Sequence, residues 1–273
     1  MKMNSMSMKS IGRLIGFGLK TNRKKILGWC IAVFLITLIY MTLFPYVKDM
    51  AQMKFDTMPK EVMQLMGIED MSYIGDYSSY FGTIYNLLLI AISVFMATFS
   101  VGLIVNEERN KTIEFLYSLE ISRSEIFISK LIVSFIALFF VELVVVIPAV
   151  ACGIFMGGDG FELLGFLQAF KIASFTPFVF MSIGFLLGGI SSKNSGGISA
   201  MFVVVTYFIG YLSAILEDKA KWLAYFSPLQ LFSSNNAMNP DNKLYIELGV
   251  YFAISIVCLV IGGLAYKKRD FFS

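Results

Sequence analysis

The 273-residue chain contains no histidine, and this absence removes several classes of chemistry. Zinc sites of the HExxH type and nucleophiles that are activated by a neighbouring imidazole both require histidine. The sequence also lacks the GxxxxGK[ST] loop with which many ATPases hold phosphate, so ATP is not bound by that device. We therefore expect that the chain is not an enzyme and that it holds no cofactor and no catalytic metal of its own.

Charged residues are scarce, because only 15% of the chain is Asp, Glu, Lys or Arg, against about 25% in average soluble domains. The net charge of +3 is modest, and the sequence carries no signature of nucleic-acid binding. The three cysteines fall inside apolar runs and lack the spacing of a disulfide framework or a metal site. This composition points to the membrane class of proteins.

Long apolar runs are abundant, with 57% hydrophobic residues and a mean hydropathy of +0.75. A helix needs roughly 20 apolar residues to cross about 30 Å of hydrocarbon. The runs do not alternate between polar and apolar residues as the strands of a membrane barrel do. We therefore predict an all-α integral membrane protein that forms a single domain over residues 1–273. Its six spans are expected at about 26–44, 82–105, 131–155, 172–190, 198–216 and 246–266.

The distribution of lysine and arginine predicts the orientation of these spans, because cytoplasmic loops carry an excess of both. Seven precede the first run, four lie in 106–130, one lies in 191–197 and three follow the last run. Together these are fifteen of the 22 basic residues, and they all belong to one side. We therefore expect both termini in the cytoplasm and the long connections 45–81 and 217–245 outside.

The most charged part of the chain is 106–130, NEERNKTIEFLYSLEISRSEIFISK, which lies between the second and third runs. Ile113, Leu116 and Tyr117 recur at helical spacing and predict a short amphipathic helix near 111–119. Ser122 and Glu125 have the S-x-x-E spacing of a capping box, which begins a helix that continues into the third run. From spacing alone, this segment is either a docking element or a solvated loop that packs at the membrane surface.

This segment resembles the signature of ABC-2 type transporter permeases, which runs approximately E-x-x-x-G-T-x-E-x-L-L-S-x-P-[VI]-S-R-x-E-[IL]-x-x-x-K. The chain departs from it at Lys111, where the family usually has Gly, and at Glu120, where it often has Pro. In that family the lateral element is a cytoplasmic coupling helix, which docks on a separate ATPase subunit. The ATPase-docking residues that the resemblance implies are Glu107, Glu108, Arg109, Ile113, Glu114, Leu116, Tyr117, Ser122, Arg123 and Glu125.

Three further parts of the chain resemble the same family, and one of them, residues 59–68 followed by 80–82, is similar to the external segment that precedes the second span. Residues 11–19 have apolar positions at helical spacing and are similar to the interfacial amphipathic helix that precedes the first span. Residues 222–232 are similar to the helical or re-entrant stretch that precedes the last span. The resemblance thus covers most of the chain, although its motifs are less specific outside 106–130.

The resemblance implies a permease subunit that couples ATP hydrolysis by a separate ATPase to export of a hydrophobic or amphipathic substrate. Lipid-like molecules, antimicrobial peptides and drugs are the classes it implies. Two copies, or this chain with a similar permease, would surround the path in the cell membrane, in contact with lipid, while the partner binds ATP and Mg²⁺. Two alternatives stay open: a non-transporting sensor or immunity module, and a secondary carrier driven by ions.

Glu142 is an exception among spans that are almost free of charge, and it lies about midway along the third one. A charged carboxylate at the centre of a helix costs roughly 2.5–3.5 kcal/mol, so it usually faces the bundle or is protonated. Glu142 is therefore either a polar group in the substrate path or helix seam, or a protonated acid bonded to a neighbouring helix. In the fourth span Gly184, Gly188 and Gly189 favour close helix packing.

Overall fold

The computed structural model describes residues 5–54, 76–109, 122–158, 161–191, 195–216, 220–238 and 240–268, without the side chains of 5–9, 50–54 and 107–109. In chain order the helices are α1 (Ser5–Thr42), α2 (Phe44–Lys54), α3 (Tyr77–Arg109), α4 (Arg123–Met156), α5 (Leu163–Ala173), α6 (Phe175–Ile190), α7 (Gly196–Leu216), α8 (Pro228–Leu231), α9 (Ser234–Met238) and α10 (Asn242–Lys268). A 3-10 helix at Lys221–Phe226 precedes α8.

Six helical stretches within the described residues are long and apolar enough to cross a membrane. They are Ser10–Thr42, Tyr77–Asn106, Arg123–Met156, Leu163–Ile190, Gly196–Leu216 and Asn242–Lys268. The described residues contain no strand. The chain is therefore an all-α, multi-pass membrane protein, and the predicted fold class is confirmed.

The N-terminal amphipathic segment is not a separate helix, because α1 continues from it into the first span. No proline lies between Ser5 and Thr42, so nothing removes a backbone hydrogen bond between the amphipathic segment and the first span. The segment is amphipathic as expected. Leu14, Ile15 and Leu19 pack against the main core, and Arg13 and Lys20 are exposed.

The fourth apolar stretch begins earlier than the predicted 172 and is broken at Ser174 into α5 and α6. The break has a local cause, because Pro177 lies in the first turn of α6 and has no N–H to bond to the last turn of α5. The predicted fourth span thus began at the end of α5, and the first turns of α5 were assigned to a loop.

Helices α3 and α6 form the centre of the bundle and approach each other closely through glycine. A Cβ on Gly184 would lie against the carbonyl oxygen of Ala97, and a Cβ on Gly189 would lie against that of Gly262 in α10. The close packing that was predicted from these small residues is therefore confirmed. By contrast α1, α7 and α10 present much of their apolar surface to the outside of the bundle.

Contacts between helices define two ends of the bundle. At one end, which we call the basic end, the start of α4 lies beside the end of α10, and α1 carries the exposed cations Lys20, Arg23, Lys24 and Lys25. At the other end the Tyr80 hydroxyl of α3 donates to the Tyr40 carbonyl of α1. There α8 and α9 pack on α5 and α10, so the predicted helical stretch at 222–232 is confirmed as short helices.

Candidate functional site

The capping box at the start of α4 is formed as predicted. The hydroxyl of Ser122 accepts the Glu125 backbone N–H at 3.3 Å, and the Ser122 backbone N–H donates to Glu125 Oε2 at 2.9 Å. The Ser122 hydroxyl also donates to the same carboxylate oxygen at 2.8 Å. These bonds satisfy N–H groups that lack a partner at a helix start, so α4 has a well-defined first residue and runs from it through the third span.

Arg123 connects the start of α4 to the end of α10. Its Nη1 donates to the carbonyl oxygen of Lys267 at 3.0 Å. The last carbonyl groups of a helix have no partner within the helix and form its negative end, so a cation stabilises them there. The side chain that was predicted to meet an ATPase therefore also joins the third span to the sixth.

Lys130, which was not among the predicted site residues, supports the same junction. It is buried, and its Nζ lies 5.5 Å from the ring centroid of Tyr266 in α10. Phe127 lies one turn earlier in α4. Its ring centroid is 5.9 Å from that of Tyr266 and 5.5 Å from that of Phe185 in α6. The signal available in the sequence was a lysine inside an otherwise apolar helix, which is seldom buried unless it has a specific partner.

The remaining predicted docking residues are only partly within the description. The backbone of Glu107, Glu108 and Arg109 completes the last turn of α3, which runs to Arg109. The predicted lateral helix at 111–119, with Ile113, Glu114, Leu116 and Tyr117, lies outside the described residues. Their docking role therefore stays a prediction, flanked by α3 on one side and by the capped start of α4 on the other.

Glu142 is buried where α3, α4 and the break between α5 and α6 meet. Its Oε2 accepts the Tyr85 hydroxyl at 2.6 Å, and the Ser174 hydroxyl donates to the same oxygen at 3.2 Å. Ser174 is the residue at which α5 ends and α6 begins. The other carboxylate oxygen of Glu142, Oε1, has no hydrogen-bond partner among the described residues. The carboxyl group thus holds together helices from three parts of the chain and faces the bundle.

The hydrogens available to this cluster are fewer than its short contacts. The Tyr85 and Ser174 hydroxyls are 2.7 Å apart, and Ser174 also lies 2.8 Å from the Phe170 carbonyl oxygen. With the two bonds to Glu142, these contacts share the single hydrogens of two hydroxyl groups. A protonated carboxyl group would supply a third hydrogen, as the interpretation of Glu142 as a bonded acid requires.

Tyr85 and Ser174 were not identified from the sequence. Tyr85 is completely buried. Its ring stacks on those of Phe81 and Phe170, with centroids 5.2 Å and 4.9 Å apart. The only signal in the sequence was a tyrosine inside an apolar span, because the hydroxyl of a tyrosine that becomes buried usually needs a partner. The partner lies 57 positions away in the chain, so no local pattern links the two residues.

Comparison with known proteins adds one finding to this geometry. A protein-family model described as "Multidrug efflux system permease Rv1217c, C-terminal domain" matches residues 11–267 of the chain, which is most of its length. The match includes the capped start of α4 and the Glu142 cluster. Among curated proteins, none matches the chain.

Proposed function

Because the chain belongs to the family described as "Multidrug efflux system permease Rv1217c, C-terminal domain", we propose that it is the membrane subunit of an ABC-2 type exporter. In this proposal a separate cytoplasmic ATPase binds ATP and Mg²⁺ and drives the export of a hydrophobic or amphipathic molecule. Drugs are the class that the family's description favours, and lipid-like molecules and antimicrobial peptides share the same chemistry. The ATPase would dock at the basic end of the bundle.

The observation that carries the proposal is the capped start of α4. A helix whose first turn is fixed by the Ser122–Glu125 box continues through Arg123–Met156, and its internal proline, Pro148, lies near the far end. A displacement at its start would therefore be transmitted along most of the span before it meets the bond that the proline removes. Helix α4 packs along α1, so a displacement of α4 would also act on α1. A docking loop that ended in a frayed helix would absorb such a displacement instead.

The bond from Arg123 to Lys267 and the packing of Lys130 on Tyr266 support the same assignment. They join α4 to α10 at the end of the bundle where the predicted coupling helix enters. A displacement of the loop would therefore act on the third and sixth spans together. In the proposal, Ile113, Leu116 and Tyr117 fill a cleft on the ATPase. Tyr117 is the main anchor, because buried tyrosines are among the side chains that carry most of the energy of an interface.

The experiment is co-purification with the ATPase and measurement of its coupled activity. We expect Arg123→Glu to weaken retention of the ATPase or to uncouple ATP hydrolysis from transport, since an anion would then face the negative end of α10. We expect Tyr117→Ala to weaken retention, because it removes a predicted aromatic anchor. Matched controls at the opposite end are Lys48→Glu and Tyr46→Ala, both in α2 and neither buried. Wild-type behaviour of both docking variants in both assays would rule out this loop as the docking element.

Pairing of two permease chains is part of the proposal. The apolar outer faces of α1, α7 and α10 are too extensive for water and suit either lipid or a second copy. The distribution of basic residues supports a place in the cell membrane with both termini in the cytoplasm. Cross-linking of single-cysteine variants on these three faces would identify which of them meets the second chain.

A secondary carrier is the second candidate, and the buried carboxyl group of Glu142 is the observation that favours it. Ionisable residues inside membrane spans often lie on proton or ion pathways. In a carrier, Glu142→Gln would abolish ion-driven transport. In the exporter that we propose, Glu142 is part of a helix seam, so Glu142→Gln should keep ATP-driven transport within about twofold of wild type, because the amide retains the acceptor for Tyr85.

A further inference from the structure

A pocket of about 270 Å³ lies between α1 and α3, near the basic end of the bundle and away from the Glu142 cluster. Lys25 and Trp29 line it from α1, one turn apart on the same face. Phe95, Phe99 and Gly102 line it from α3, where they also share one face. The pocket is therefore a groove between two spans, with one cation beside aromatic walls.

The deeper part of the pocket is apolar. Trp29 stacks on Phe95 with ring centroids 4.8 Å apart, and Phe95 contacts Phe99 at 5.2 Å. Both phenylalanines are buried, and Trp29 is half-buried. Gly102 contributes no side chain, and the atom nearest to an added Cβ there is Nδ2 of Asn106, at 3.3 Å. This part of the pocket suits a hydrocarbon chain.

The outer part of the pocket is polar and cationic. Asn22 and Asn106 line it together with Lys25, which is exposed. Lys20, Arg23 and Lys24 are also exposed on this part of α1. In sequence, Glu107, Glu108 and Arg109 follow Asn106 and add a net charge of −1, so the cations are in excess. Basic clusters at the ends of membrane spans attract the anionic heads of phospholipids.

We propose that this pocket binds an anionic phospholipid of the surrounding membrane. The phosphate-bearing head lies at Lys25, and part of one acyl chain lies against Trp29, Phe95 and Phe99. A lipid needs to place only part of its chain in the groove and leaves the rest in the bilayer. The proposal does not depend on ATPase coupling.

The test uses the fluorescence of Trp29 in the full chain. The sequence has two tryptophans, and Trp222 is exposed in the 3-10 helix at the opposite end, so Trp222→Phe leaves Trp29 as the only one. The protein is reconstituted in phosphatidylcholine vesicles with a small fixed fraction of lipid that has brominated chains, which quench tryptophan on contact. We expect brominated phosphatidylglycerol to quench Trp29 more than brominated phosphatidylcholine at the same fraction.

Two variants assign the preference to the pocket. Lys25→Gln should reduce the preference for phosphatidylglycerol roughly fivefold, since one basic residue near an anionic surface contributes about 1 kcal/mol. Its matched control is Lys24→Gln, which removes an exposed cation that does not line the pocket. Gly102→Leu should fill the groove and reduce quenching by both lipids, whereas Gly28→Leu, where an added Cβ meets nothing within 4 Å, should not.

Three results would overturn the proposal. One is equal quenching by the two lipids in the parent protein, and another is an equal effect of Lys25→Gln and Lys24→Gln. The third is loss of the preference in inorganic phosphate but not in chloride at the same ionic strength, which would indicate a site for free phosphate. Lys25 is exposed, so its variant does not depend on refolding of the core.

Discussion

At the scale of single residues, the structure explains how a carboxyl group is accommodated inside a span. Glu142 was identified from the sequence because a charge in an apolar run is conspicuous. Its partners Tyr85 and Ser174 were not, because they lie 57 and 32 positions away, and their meeting depends on how three helices are rotated. A hydrogen bond between membrane helices contributes about 0.6 kcal/mol on average and up to about 1.7 kcal/mol.

Replacing Tyr85 with phenylalanine tests this cluster. We expect Tyr85→Phe to lower the free energy of unfolding by about 0.6–1.7 kcal/mol, because Glu142 Oε2 loses its shortest bond. The matched control is Tyr80→Phe, whose hydroxyl bonds to the Tyr40 carbonyl at the exposed end of the bundle, where water replaces it. The measurement is reversible unfolding in mixed detergent micelles. An equal loss in both variants would contradict the role of the Glu142 cluster.

At the scale of helices, local signals in the sequence were sufficient where the stabilising bonds are local. The capping box closes within four residues, so Ser122 and Glu125 predicted the start of α4 directly. The break between α5 and α6 was not predicted, because the apolar pattern continues across Ser174. The continuity of α1 was also missed, since a change from amphipathic to fully apolar sequence does not itself interrupt a helix.

Removal of the cap should affect the start of α4 and little else. We expect Ser122→Ala to destabilise this helix end by about 0.5–2 kcal/mol. Hydrogen exchange at the first-turn amides, including that of Glu125, measures the effect locally. Ser124→Ala is the matched control, because Ser124 is exposed and is not the cap residue. Equal protection of these amides in both variants would show that the capping box does not fix the helix.

The close contact between α6 and α10 gives another prediction at this scale. An added Cβ on Gly189 would lie against the carbonyl oxygen of Gly262, so Gly189→Ala must push the two helices apart. We expect a loss of about 1–3 kcal/mol in the free energy of unfolding, as is typical of overpacking. Gly28→Ala in α1 is the control, because an added Cβ there meets nothing within 4 Å. If Gly189→Ala were as stable as this control, the helices would not be in the proposed contact.

At the scale of the whole molecule, the number of spans was predictable because the thickness of hydrocarbon fixes the length of an apolar helix. The neighbours of each helix were not, since many arrangements bury similar apolar stripes. The structure places α3 and α6 at the centre and joins α4 to α10 at the basic end. Residues 11–267 match an efflux permease family, which identifies the bundle as a membrane permease, and the ATPase is the partner that our proposal adds.

Transport in inside-out membrane vesicles tests the central claim most directly. Vesicles that contain the chain and its ATPase are supplied with a fluorescent amphiphilic drug, and its uptake is followed under two treatments. The account predicts uptake that stops when ATP is depleted, persists when ionophores collapse the ion gradients, and is absent without the ATPase. Uptake that ignores ATP depletion and disappears with the ion gradient would contradict it and would identify the chain as a secondary carrier.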